Sequence, residues 1–369
     1  MASHAPARCL AIAALAGIWV FSRAQSAALP TGPGWHELAN TRLRTLCPSD
    51  STYPDLHGGS GCAGVTAYSG GTFDTNGNRL LIAGGGHSDW GGNEVYALDL
   101  DSAALERLDA PSYPVRDGCI NGGTNADGRP VARHTYNHLE FLPGSGEMFL
   151  YGGSLWQCGN LSQDSWTFDT TSLAWTARPS ALTPRGSFAV GVVRDPVSGL
   201  LYARDEYNLW SYDPAAHAWS KRSDDNDLAV ESYKGAVIQP NLHRYYFYVS
   251  GTRTLLSYDI GAATGLLTLQ SQPAPTCAFM DHDAVGWNYD ADLDRLVAWH
   301  GTDTVYLLDA ANATCSALTL TGGPTALPWI YGRFRYSPAS HVHVSCNSID
   351  DNCFILRLSD RIFADGFGN

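Results

Sequence analysis

From residue 70 onward the chain repeats short apolar runs, each bounded by turn-forming residues. Five runs are aromatic-rich and close on aspartate: EVYALD (94–99), SWTFD (165–169), NLWSYD (208–213), TLLSYD (254–259) and TVYLLD (304–309). Another apolar run precedes each one: RLLIAGGG (79–86), EMFLYGG (147–153), LLYARD (200–205), RYYFYVSG (244–251) and RLVAWHG (295–301). A tryptophan segment follows two of them, LAWTARP (173–179) and HAWSKRS (217–223). Nearly continuous apolar runs of this length predict strands buried on both faces. The closing aspartates at 99, 169, 213, 259 and 309 have later spacings of 44, 46 and 50 residues, which suits four short strands per unit. A sixth unit, RFRYSP (333–338), HVHVSCN (341–347) and CFILRLS (353–359), lacks its own fourth strand. GPGWHELA (32–39), with its Trp-x-x-Leu pattern, is the candidate to supply it.

This repeat resembles the Kelch unit, one blade of a β-propeller. The resemblance implies an all-β, Kelch-like β-propeller of six blades, its ring closed by the N-terminal strand in the C-terminal blade. A seventh blade within 40–65 or 111–133 is the alternative. The glycine pairs Gly85–Gly86 and Gly152–Gly153 are expected to end second strands where neighbouring backbones approach closely.

Composition fits that expectation. The 369 residues include 38 glycines, 18 tyrosines and 11 tryptophans, and only 16% are charged, as expected of strands joined by tight turns. Residues 1–26 read as a secretory signal peptide: Arg8, the apolar run CLAIAALAGIWVF, then small residues. The propeller is expected over 27–361 and a short tail over 362–369. Without residues 1–26 the chain carries 21 basic and 36 acidic residues, net −15, which argues against a nucleic-acid partner. No later segment is a membrane-span candidate, so a secreted or periplasmic monomer is expected. Eight cysteines remain: Cys47, Cys62, Cys119, Cys158, Cys277, Cys315, Cys346 and Cys353. An even number in an exported chain predicts four disulfides, and the favoured pairing joins sequence neighbours, one of 105 connectivities.

On a propeller, function gathers where second-to-third strand loops meet blade-to-blade connections. GGGHSDWGGNEVYALDL (84–100) supplies such a loop, with His87, Asp89 and Trp90. It is no phosphate loop, because no Lys-Ser/Thr follows and the next element is a strand, not a helix. The long connection 110–141 brings Arg133, His134, Tyr136 and His138, which alternation would place on one side of an extended segment. Other blades add Arg185, Arg204 and Tyr207, then Tyr233 and Lys234, then Asp281, His282, Asp283 and His300, then Tyr331 and Arg333. Each taken singly reads as a structural residue. Together they make a ring of histidine, tyrosine and arginine in an acidic chain.

That set suits an acidic polysaccharide. Arginine binds carboxylates, and histidine or tyrosine exchanges protons near neutral pH. In outline it is similar to secreted propeller lyases of the ulvan lyase type, which implies β-elimination of a uronate-containing glycan with no cofactor required. On this reading His87 and His138 bind the carboxylate and transfer protons, Tyr233 is the base and Arg204 the clamp. Asp89, Trp90, Arg133, His134, Tyr136, Arg185, Tyr207, His282 and Arg333 would line the substrate. Trp90, Trp156 and Tyr207 suggest instead a non-catalytic sugar- or protein-binding propeller. His87, Asp89, His134 and His138 leave room for a metal, structural or catalytic. A galactose-oxidase-like copper oxidase is a further alternative, but its tyrosine–cysteine crosslink needs a free thiol, which an even cysteine count does not offer.

Overall fold

The computed structural model describes Met1 and residues 28–120, 122–188, 191–225, 233–261, 265–272, 277–325 and 327–358. Apart from Met1, the expected signal peptide lies outside the described residues, as does the expected tail. Six antiparallel sheets follow one another along the chain, arranged as a β-propeller. Blade one comprises Gly70–Asp74, Arg79–Ala83, Val95–Asp99 and Ala104–Arg107. Blade two comprises Leu139–Leu142, Glu147–Leu155, Leu161–Asp169 and Ala174–Ala177, with the two-residue strand Arg133–His134 paired alongside. Blades three, four and five run from Val192 to Lys221, Ala236 to Ser271 and Gly286 to Thr319, four strands each.

Blade six holds Phe334–Ser337, Val342–Ser345 and Cys353–Arg357, and its outer strand is Gly34–Leu38 from the other end of the chain. The register sets Trp35 opposite Leu356, and the Trp35 ring lies 5.1 Å from Trp299 of blade five and 6.2 Å from Phe334. The ring therefore closes as the sequence implies. The segments 40–65 and 111–132 contain no strand; the first forms short 3-10 turns, so no seventh blade exists among the described residues.

The repeated aspartates have a local cause. Each ends a third strand, and its Oδ1 accepts backbone N–H groups of the following turn: Ser102 for Asp99, Thr171 and Ser172 for Asp169, Ala215 for Asp213, Gly261 for Asp259 and Asn312 for Asp309. A carboxylate thus closes each outer hairpin by satisfying donors that the ladder leaves free. Between blades the core is aromatic and aliphatic. Phe149 of blade two lies 4.5 Å from Tyr212 of blade three, and Leu80 and Leu98 of blade one share a cluster with Val344 and Ile355 of blade six.

The disulfides are Cys47–Cys62, Cys119–Cys158, Cys277–Cys315 and Cys346–Cys353, the neighbour pairing favoured from the sequence. They fit an oxidising compartment. No helix among the described residues is long and apolar enough to cross a membrane.

Because Trp35 couples the closing strand to blade five, Trp35→Ala should cost about 3–5 kcal/mol in denaturant unfolding. A loss below about 1 kcal/mol would mean that the closing strand contributes little.

Candidate functional site at the propeller axis

Inner strands converge on the axis, and among the described residues one with left-handed backbone precedes five of these strands: Tyr68 (φ 49°), Tyr136 (42°), Tyr233 (63°), Ala284 (50°) and Tyr331 (50°). There the backbone N–H of Tyr136 donates to the Tyr68 carbonyl (2.9 Å), Tyr233 to Phe188 (2.7 Å), Ala284 to Tyr233 (2.7 Å) and Tyr331 to Ala284 (2.9 Å). The approach is so close that a Cβ on Gly70 would lie 2.0 Å from the Tyr136 carbonyl oxygen. This backbone throws four tyrosines toward the axis. Tyr136 has ring centroids of Tyr331 at 5.7 Å, Tyr233 at 5.8 Å, Phe188 at 5.5 Å and Tyr68 at 6.5 Å. Trp329 packs 5.3 Å from Tyr68 and 5.8 Å from Tyr233. Tyr136 and Tyr331 are buried, while Tyr68 is 37% exposed and Tyr233 and Trp329 are half-buried. The result is an aromatic bowl with its floor at Tyr136 and Tyr331.

One wall is polar. His134 Nε2 lies 2.9 Å from Asp89 Oδ2, and Nδ1 lies 3.4 Å from the Tyr136 hydroxyl. With Nε2–H donating to the carboxylate, Nδ1 accepts from the phenol. Asp89 Oδ1 also accepts from Ser60 (2.9 Å). Tyr68 stacks on the His134 ring at 5.1 Å, and exposed His87 stands edge-on to it at 5.8 Å. Burial pushes the His134 pKa down to about 4 against the opposing pull of Asp89. His134 is only 4% exposed, so loss of hydration outweighs one carboxylate, and at neutral pH the imidazole is uncharged. Burial likewise raises the Tyr136, Tyr233 and Tyr331 hydroxyls, keeping them protonated.

His87 owes its position to the opening loop. The second strand ends at Ala83 rather than at the glycines, because Gly85 and Gly86 take φ 126° and 87°. A Cβ on Gly86 would meet the Arg133 Cα at 2.3 Å, so the loop lies against blade two. Cys158 is bonded to Cys119 beside this loop, and the adjacent Gly159 would place a Cβ 3.0 Å from the His87 ring.

The structure thus brings His87, Asp89, His134, Tyr136 and Tyr233 together. His138, buried at 4%, packs 5.5 Å from Tyr136 and 6.3 Å from Tyr151, and lines a narrow cleft with Arg185, Arg204 and Asp205. The extended 134–138 segment expected from alternation is broken at Tyr136, whose left-handed backbone reverses the chain. Trp90 is a correction: it is fully buried, its indole N–H bonded to Glu94 Oε1 at 2.9 Å, and offers no face to a sugar. Trp156 is buried too. Arg204 is also corrected as a clamp. Its guanidinium donates to Tyr258 and to the carbonyls of Asp205, Glu206 and Tyr207, and lies 4.8 Å over Phe247 in the seam to blade four. Arg133 is held by Asp164 (2.6 Å) and three carbonyls.

Arg185 is exposed over Tyr207 at 5.4 Å, and exposed His282 stacks on His300 at 4.0 Å in blade five. Arg333 is fully buried beside Trp329. Tyr68 and Trp329 were missed from sequence. The signal for Tyr68 was the Tyr-x-Gly before an inner strand, shared by Tyr68–Gly70 and Tyr233–Gly235. No three histidine, cysteine or acidic residues gather as a metal set among the described residues, and all eight described cysteines are disulfide-bonded.

Fold and site together define a six-bladed β-propeller with a polar-walled aromatic bowl on its axis. No family model matches the chain, and no curated protein does. Among solved structures it is similar to a "novel fungal alcohol oxidase with catalytic diversity among the AA5 family, in complex with copper" (TM-score 0.47, 13% identity, 78% of this chain and 62% of that one). It is also similar to a chain of a nidogen/laminin complex (TM-score 0.41, 11% identity, 69% of this chain and 80% of that one). The chain thus spans less than two thirds of the oxidase's length.

The lowered His134 pKa has a measurable consequence. The unfolded chain binds the proton near pH 6.5 and the folded one near 4, so His134 favours folding fully above pH 6.5 and loses that contribution as pH falls to 4. His134→Gln should therefore lose less stability than wild type between pH 7 and 4, by roughly 3 kcal/mol. Identical losses in urea titrations at both pH values would contradict a buried neutral His134.

Proposed function

We propose that this Kelch-type propeller is an exported carbohydrate-active protein that binds an acidic glycan in the axial bowl and cleaves it by β-elimination. The observation that carries the reading is the open aromatic bowl of Tyr68, Tyr233 and Trp329 beside exposed His87 and the His134–Asp89 pair. Aromatic faces accept sugar rings, and proton-exchanging groups stand beside them. In the reaction a base takes the proton α to the uronate carboxylate, the C–H electrons form the C4=C5 double bond, and the C4–O bond breaks. An acid then protonates the departing oxygen.

On this reading the roles expected from sequence are exchanged. Burial keeps the Tyr233 hydroxyl protonated, which suits the acid. His87, exposed at the rim, suits the base. His134, fixed between Asp89 and Tyr136, orients this wall. The oxidase alternative lacks one component: with every described cysteine in a disulfide, a tyrosine–cysteine crosslink has no thiol among the described residues. A binding-only platform is the second reading, favoured by the commitment of Arg133 and Arg204 to internal partners.

Incubation with ulvan, alginate, pectate, glucuronan and glycosaminoglycans should raise the ultraviolet absorbance of an unsaturated uronate for one of them. His87→Ala and Tyr233→Phe should each lower kcat/KM by about 10²–10⁴-fold. Silence across all five polymers sinks the lyase reading. Binding that is retained by wild type and lost in Tyr68→Ala would then establish the platform.

A further inference from the structure

Arg333 is a buried cation without a counter-charge. It ends the 3-10 turn Tyr331–Arg333 just before the inner strand of blade six, is 1% exposed, and forms no ion pair among the described residues. Nη2 donates to the Trp329 carbonyl (2.7 Å) and to Asn347 Oδ1 (2.8 Å). Nε and Nη1 are buried and meet no acceptor among the described residues. The Tyr331 hydroxyl, two residues earlier and on the bowl's floor, is likewise buried without a partner. Two residues after the left-handed turn, where other blades place glycine, as at Gly70, Gly235 and Gly286, blade six places this arginine.

A fully desolvated guanidinium remains protonated at neutral pH. Burial lowers its pKa only to about 10, and the nearby Tyr331 hydroxyl is the partner that opposes that fall. An uncompensated buried charge is costly, so the arrangement is stable when an anion supplies the missing acceptors. Arg133 makes the comparison: equally buried, it holds Asp164, and each of its guanidinium nitrogens meets an acceptor.

We propose that Arg333 and Tyr331 form a receptor for a single carboxylate at the axial floor of the bowl. The guanidinium supplies charge and donors, and the tyrosine supplies one O–H. The carboxylate comes either from a small free acid or from a uronate of the glycan, and only the second source rests on the glycan reading. In that case the receptor takes the neutralising place that Arg204, committed to carbonyls in the next seam, does not fill.

The test is calorimetric titration and thermal unfolding of the full chain with formate, acetate, chloride and glucuronate, in a non-coordinating low-salt buffer. Formate or acetate should raise the wild-type Tm by about 2 °C or more at saturating concentration. Arg333→Met should lose that response and bind at least about tenfold more weakly, while its Tm without anion equals or exceeds wild type because a lone buried charge is gone. Tyr331→Phe should weaken binding by a smaller factor and still respond. No response of wild type to any carboxylate, a response to chloride alone, or an undiminished response in Arg333→Met overturns the proposal. The first two outcomes need no variant to fold. Glucuronate binding as tight as acetate, lost in Arg333→Met, identifies the glycan as the source. Acetate binding without glucuronate binding leaves the receptor standing and counts against the glycan reading.

Discussion

Six inner strands cannot meet at one axis unless each entering chain turns sharply just before its strand begins. The left-handed residues at Tyr68, Tyr136, Tyr233, Ala284 and Tyr331 make that turn, and backbone bonds of 2.7–2.9 Å then stitch each described blade connection to a previous one. For a non-glycine residue this conformation costs about 1–2 kcal/mol. The backbone bond and the burial of a large ring offset it. The site is a by-product of this solution: the same torsion that satisfies the axial backbone directs four phenols inward. The candidate site and the axial backbone share the same residues.

Electrostatics at the axis are governed by burial more than by partners. Asp89 lies at hydrogen-bond distance from His134, an arrangement that in water would favour the imidazolium, and the pKa falls nevertheless. The same desolvation acts on Arg333, which cannot discharge near neutral pH because guanidinium starts so much higher. The site therefore holds a neutral histidine against a carboxylate on one wall and a fixed cation below. That asymmetry would draw an anion toward the floor and leave the rim free for proton exchange.

The blades were legible because their cause is local. Asp99, Asp169, Asp213, Asp259 and Asp309 cap hairpin turns through contacts two or three residues away, and a period of such contacts survives in a single sequence. The closing strand was legible from an orphaned sheet and a spare Trp-x-x-Leu segment. The site was half legible. His87, Asp89 and His134 follow from the loop they occupy, but the bowl is set by left-handed turns that periodicity does not encode, so Tyr68 and Trp329 went unseen. Arg204 and Trp90 misled for a related reason. Residue type advertises chemistry, whereas the folded chain turns Arg204 back on the carbonyls of Asp205, Glu206 and Tyr207 and onto Tyr258, and buries Trp90 against Glu94.

The proposed proton transfer requires a rim that holds its groups in place beside a bound substrate. His87 sits on a loop of glycines, which alone would be a poor scaffold for a proton acceptor. The loop is braced on both sides: Gly58 and Gly59 donate to the carbonyls of Asp89 and Ser88 at 3.1 and 2.9 Å, and the segment they belong to is tied by Cys47–Cys62. On the other side Cys119–Cys158 anchors the turn that touches His87. Two of the four disulfides thus flank one exposed histidine, while Cys277–Cys315 ties the approach to blade five to its outer strand and Cys346–Cys353 lies in blade six. A lectin-like surface gains little from fixing a single imidazole so firmly. A proton-transfer site gains a great deal, because its rate depends on holding donor and acceptor within hydrogen-bond reach of the bond that breaks.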